Sequence, residues 1–139
     1  MKKVIRFIVL VLAISLCAVS CKKTLNTIAI SGNWGLFKTV VTENGKVVLD
    51  QYATDIHVVT TFSFQSNDVF VKTTVSIDGE SVETGRWIVD DDTLLLTYAG
   101  KSERYYIEKA GLFELILVQE TIQAGVTVVR TIYLETLAT

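Results

Sequence analysis

Ser66–Leu96 reads SNDVFVKTTVSIDGESVETGRWIVDDDTLLL, and the reading of this stretch decides the fold. Val69, Val71, Val75 and Ile77 share one face of an extended segment, with Phe70, Lys72, Thr74 and Ser76 on the other. Asp78-Gly79 then supplies the positive φ that a two-residue hairpin turn requires. A second extended run follows, and Asp90–Asp92 breaks it before Thr93. Further turn signals flank the stretch on both sides: Asn44-Gly45, Ser66 to Asp68, and Ala-Gly pairs at 99–100, 110–111 and 124–125. Most are 8 to 14 residues apart, the spacing of an all-β meander. The chain has no proline, and no segment after Gly32 holds a 3.6-residue apolar period for the ten or so residues a helix needs. Strands are expected at 33–42, 46–52, 56–65, 68–77, 80–89, 93–98, 102–109, 112–122 and 125–135.

The later strands alternate as well. Phe113, Leu115 and Leu117 share a face, as do Val126, Val128, Ile132 and Leu134. One face inside and one in water is the mark of an antiparallel sheet. Hairpins in sequence order leave two raw sheet edges unless the sheet closes. The expected architecture is therefore an all-β, antiparallel up-and-down barrel of eight or nine strands. A two-sheet sandwich is the alternative, and it needs longer crossing connections than this chain offers.

The N-terminal residues read as an export signal. Lys2, Lys3 and Arg6 form a basic start, and Phe7 to Val19 is an apolar run of 13 residues, short for a membrane span. The sequence AVSC, ending at Cys21, resembles the lipobox of bacterial lipoproteins, which implies cleavage after residue 20 and lipidation of Cys21 by acyl chains such as palmitate. Residues 21–31 are then a tether, and 32–139 the barrel domain. Removal of the signal leaves 10 basic and 15 acidic residues, a net charge of −5, which offers nucleic acid no attraction. It also leaves no second cysteine for a disulfide. Lys22 and Lys23, in place of an acidic cluster, point to the periplasmic face of the outer membrane.

Catalytic and metal-binding patterns are sparse. His57 is the only histidine and sits in a strand-like run, so a zinc site of the usual kind is not available. Asp90–Asp92 lacks the alternating spacing of a calcium loop. There is no nucleophile elbow and no phosphate-binding glycine loop. No enzyme activity and no cofactor are expected.

The two tryptophans stand in twin triplets, Gly32-Asn33-Trp34 and Gly85-Arg86-Trp87. A glycine two residues before a large ring allows the backbone to bend or approach closely where the ring turns inward. Gly32-Asn33-Trp34 at the head of the first strand resembles the G-x-W motif of the lipocalins. That resemblance implies that Trp34 plugs the closed end of an eight-stranded barrel, with Arg130 of the last strand packed across it. The order G-x-W-x-L at 32–36, FSF at 62–64, TGRWIVDDDTLLL at 84–96 and YYIEKAGLFELIL at 105–117 resembles the lipocalin-like domain of small Gram-negative lipoproteins. The T-D-Y motif of other lipocalins is absent from the later loops, and the domain is short, which implies a small or filled cavity. Phe62, Phe64, Trp87, Tyr105, Phe113 and Leu115 are the candidates for the interior. What the resemblance implies for function is the binding of a small hydrophobic molecule, such as a fatty acid. The alternative is an interaction or inhibitor module with a filled barrel.

Overall fold

Strand formation follows the alternation, and turn chemistry sets where each strand stops. The computed structural model describes residues 24–137. After a short helix α1 (24–30) come β1 (Gly32–Glu43), β2 (Lys46–Tyr52), a single helical turn α2 (Ala53–Ile56), β3 (Val59–Phe64) and β4 (Val69–Ser76). β5 (Gly79–Asp90), β6 (Thr93–Tyr98), β7 (Lys101–Ala110), β8 (Glu114–Gln123) and β9 (Val126–Thr136) complete the chain. Asn44-Gly45, Ala99-Gly100 and Ala124-Gly125 all take positive φ at both positions, the geometry of tight hairpin turns whose twist matches that of the strands.

All neighbouring strands are antiparallel, in the order β2-β1-β3-β4-β5-β6-β7-β8-β9, and β1 also pairs with β9. That last pairing closes the barrel and excludes the sandwich. It runs from Trp34↔Thr136 to Glu43↔Val128. On its other edge β1 is shared: Gly32–Gly35 pair with β3, and Lys38–Glu43 pair with β2. β2 and β3 thus follow one another along the same edge, with α2 in the break. The result is an eight-stranded closed barrel with one extra strand.

Two sequence expectations change here. The strand expected over 56–65 begins only at Val59, because Ala53–Ile56 turn into α2 and His57 ends it at φ 53. His57 is therefore a helix cap and not a strand residue. The tether expected over 21–31 is, from Thr24 onward, the helix α1, and its last residue, Ile30, is wholly buried in the core. Residues 1–20 and Cys21 lie outside the described residues.

The core is concentrated at one end of the barrel, where the β3–β4, β5–β6 and β7–β8 connections lie. Trp34, Phe64, Phe70, Trp87, Val89, Leu94, Leu96, Leu115, Leu117 and Leu134 are all buried there, with Ile30 of α1. Each large side chain contributes about 1.5–3 kcal/mol on burial. The face of β4 that carries Phe70 points inward, and Val75 and Ile77 on the opposite face are exposed.

Candidate functional site

The two tryptophans close the same end of the barrel by the same device. Trp34 Nε1 donates to the carbonyl of Ile30 at 2.7 Å, which satisfies a carbonyl at the C-terminus of α1. Trp87 Nε1 donates to the carbonyl of Gln65 at 2.9 Å, which holds the β3–β4 connection. Asn26 Nδ2 donates to the carbonyl of Asp91 at 2.9 Å and pins α1 to the β5–β6 turn. Phe64 packs edge-on to Trp87, with ring centroids 5.4 Å apart, and against Phe70 at 5.3 Å.

The two glycines of the triplets answer different needs. Gly32 has φ +126, a conformation side chains rarely adopt, and open space around it. At Gly85 the need is space: a Cβ would lie 2.0 Å from the carbonyl oxygen of Thr97 and 2.6 Å from Tyr98 Cβ.

Above this packed layer, toward the two-residue turns, the barrel holds a cavity of about 190 Å³. Leu36, Phe62 and Ile132 give it apolar walls, and Thr60 and Thr74 give hydroxyls. Lys72, Tyr98, Glu103, Tyr105 and Arg130 also line it. Inward alternation places these residues: Lys72 follows Phe70 by two, Tyr98 follows Leu96, and Glu103 precedes Tyr105.

Glu103 is held by three donors. Its Oε1 accepts from Tyr98 Oη at 2.9 Å and from Lys101 Nζ at 3.1 Å, and its Oε2 accepts from Tyr105 Oη at 2.7 Å. Burial pushes the Glu103 carboxyl up, but the bonds from Tyr105, Lys101 and Tyr98 outweigh it and hold it below the ordinary 4.5. Burial, aided by the bond to Glu103, pushes the Tyr98 hydroxyl up to about 12 and raises Tyr105 further.

The sign of the pH dependence follows. A carboxyl lowered on folding stabilises above its unfolded value, and that contribution is lost as pH falls through the folded value. Glu103→Gln is expected to lower stability by about 1–2 kcal/mol at neutral pH. Urea unfolding of both proteins should show the difference shrinking as the pH falls below the ordinary carboxylate value of 4.5. The tyrosines work in the opposite direction: their contribution is present below about pH 10 and is lost at higher pH. In an alkaline absorbance titration, Tyr98→Phe should remove amplitude near pH 12.

The sequence-derived site residues fall into three groups. Gly32 and Trp34 lie at the closed end with Phe64, Trp87 and Leu115. Phe62 and Tyr105 line the cavity. Phe113 and Arg130 do not lie where expected. Phe113 precedes β8, in a loop closed by Gly111 N donating to Glu114 O at 2.9 Å, and is 75% exposed. Arg130 pairs in register with Val41, far along the strand from the Trp34↔Thr136 pair, and lines the cavity instead of covering Trp34. Lys72, Tyr98 and Glu103 were not singled out from the sequence as site residues. The inward face shared by Phe70 and Lys72 was the available signal.

A second hollow lies outside the barrel, where β2 gives way to β3. It measures about 770 Å³ and is lined by Phe37, Tyr52, Ala53, Val59 and Leu137 among others. Among the described residues no group of three or more His, Cys, Asp or Glu is placed to hold a metal ion.

Comparison with known proteins agrees with this architecture. Among solved structures, apocrustacyanin C2 is similar over 88% of this chain and 68% of its own, with 14% identity and a TM-score of 0.56. The siderocalin Ex-FABP is similar over 78% of this chain and 71% of its own, with 9% identity and a TM-score of 0.47. No curated protein matches the sequence. Residues 30–111, which run from the last residue of α1 through the first seven strands, match the lipocalin-like domain family. With its closed eight-stranded barrel and this match, the chain belongs to the lipocalin-like domain family.

Proposed function

We propose that this chain is a binding protein of the cell envelope that takes one small, largely apolar molecule into the open half of its barrel. The observation that carries this reading is the cavity of about 190 Å³, walled by Leu36, Phe62 and Ile132 and floored by the packed aromatic layer. An eight-stranded barrel either fills with side chains or holds one small ligand, and here the closed half is filled and the other is not. Drug-sized ligands occupy pockets of roughly 300–1,000 Å³, so the occupant is small, and a long fatty acid is excluded without expansion. The lipobox-like AVSC supports attachment through lipid on Cys21. With Lys22 and Lys23 after it, the reading places the protein on the periplasmic face of the outer membrane. No enzymatic step is proposed.

Native mass spectrometry of protein purified from its own host tests this. A bound small molecule lost on denaturation is expected. A ligand-free species that also ignores small apolar probes would overturn the reading.

One observation favours a second reading. The outer hollow is larger and lined mainly by apolar side chains, as an interaction or inhibitor module would require. In that case partners would act at Phe37, Tyr52 and Val59 and leave the interior untouched.

A further inference from the structure

The closed end of the barrel carries apolar side chains that the core does not use. Leu25 and Ile28 stand three apart on α1, so they share a face, and they are 66% and 67% exposed. Ile30, on the other side of the helix, is buried in the core. Leu112 and Phe113, in the β7–β8 loop, are 85% and 75% exposed. The two pairs belong to one end. Phe113 O accepts from Thr136 N at 3.0 Å, Thr136 pairs with Trp34, and Trp34 Nε1 holds the carbonyl of Ile30. From β8 across β9 to β1 is two strand spacings, about 10 Å. Large apolar side chains exposed together at one end mark an interaction surface.

What this surface meets follows from the chain ahead of α1. Cys21, on which the lipid-anchor reading rests, stands three residues before Thr24. Three residues reach at most about 11 Å even when extended, so acyl chains on Cys21 hold the start of α1 close to the bilayer. The open end is beyond so short a link. Ile77 follows β4, which carries the chain about 25 Å along the strand from Val69 at the closed end. Charge narrows the choice of bilayer. Asp90 to Asp92 lie at the closed end, and Asn26 ties α1 to the carbonyl of Asp91, so a strongly anionic surface is repelled.

We propose that the closed end is a membrane-docking face: Leu25, Ile28, Leu112 and Phe113 enter the interface of a zwitterionic bilayer, and the open mouth of the barrel points away from it. This rests on the reading of Cys21 as lipidated and adds to the anchor a second contact, made by the barrel itself. The apolar side chains gain burial at the boundary between headgroups and acyl chains. The anchor raises their effective concentration at the surface, so a small contact suffices.

The test uses the whole lipoprotein in vesicles of phosphatidylcholine and phosphatidylethanolamine that contain spin-labelled lipid. With residues 1–20 removed and Cys21 acylated, the chain has no free thiol, so Ile28→Cys and Ile77→Cys each offer one site for a fluorescent label. The label on Ile28→Cys is expected to lose most of its emission to the spin-labelled lipid, and the label on Ile77→Cys to keep it. Adding Leu112→Asp and Phe113→Asp should restore emission at Ile28→Cys. Both side chains are exposed, so the urea midpoint should not move, which shows that the fold is intact. Quenching at Ile28→Cys that survives both aspartates, or that Ile77→Cys matches, would overturn the docking face. If the N-terminal peptide has the mass of an acylated cysteine and neither label is quenched, the docking is wrong while the anchor stands. If that peptide carries no acyl chain, the anchor reading fails and the proposal falls with it.

Discussion

Replacing Trp34 with alanine is expected to lower stability by about 3–5 kcal/mol. That is a large share of the roughly 5–15 kcal/mol by which a domain is stable. The ring is 2% exposed, in register with Phe62 on one side and Thr136 on the other. Its removal opens a void at the closed end and also orphans the Ile30 carbonyl that its N–H satisfies. Trp34→Phe isolates the second effect. It retains most of the packing, loses the hydrogen bond, and should cost about 1–3 kcal/mol, with α1 fraying first. Chemical denaturation measures both, and an unchanged midpoint for Trp34→Ala would remove Trp34 from the closed end.

Gly85→Ala is expected to be as damaging through the addition of one methyl group. Overpacking usually costs about 1–3 kcal/mol, occasionally more. Here the new carbon would meet backbone atoms, 2.0 Å from Thr97 O and 2.8 Å from Tyr98 Cα, so β5 and β6 must separate. The loss should reach about 3 kcal/mol or more, and it should displace Tyr98 from Glu103. Gly32→Ala is the informative comparison. No atom lies within 4 Å of its Cβ, so only backbone strain opposes it, about 1–3 kcal/mol. Equal stability of Gly85→Ala and the parent in thermal unfolding would contradict the close approach of the two strands.

The barrel was legible in the sequence because its turns are short and chemically explicit. Asn44-Gly45 and Ala124-Gly125 end strands within a residue or two of the expected places. The break between β2 and β3 was not legible. Residues 53–58 lack glycine and proline, and a single helical turn carries too few residues for a period to show. Alternation also reports which face a residue occupies but not its height in the barrel. Arg130 shares the strand parity of Ile132 and Leu134, yet its level is decided by the β1–β9 register, which no local pattern reveals. Phe113 has the parity of Leu115 and Leu117, and the loop from Gly111 to Glu114 turns it out of the strand. The cavity charges were hidden for a related reason. Lys72, Glu103 and Arg130 come from β4, β7 and β9 and meet only when the sheet closes.

The central claim is that ligand enters the barrel and does not bind on its outer wall. Chemical-shift mapping of the labelled protein with octanoate tests it most directly. The account predicts shifts at Phe62, Lys72, Tyr98, Tyr105, Arg130 and Ile132, with Phe37, Tyr52 and Val59 unmoved. Shifts confined to Phe37, Tyr52 and Val59, or none at saturating octanoate, would contradict it.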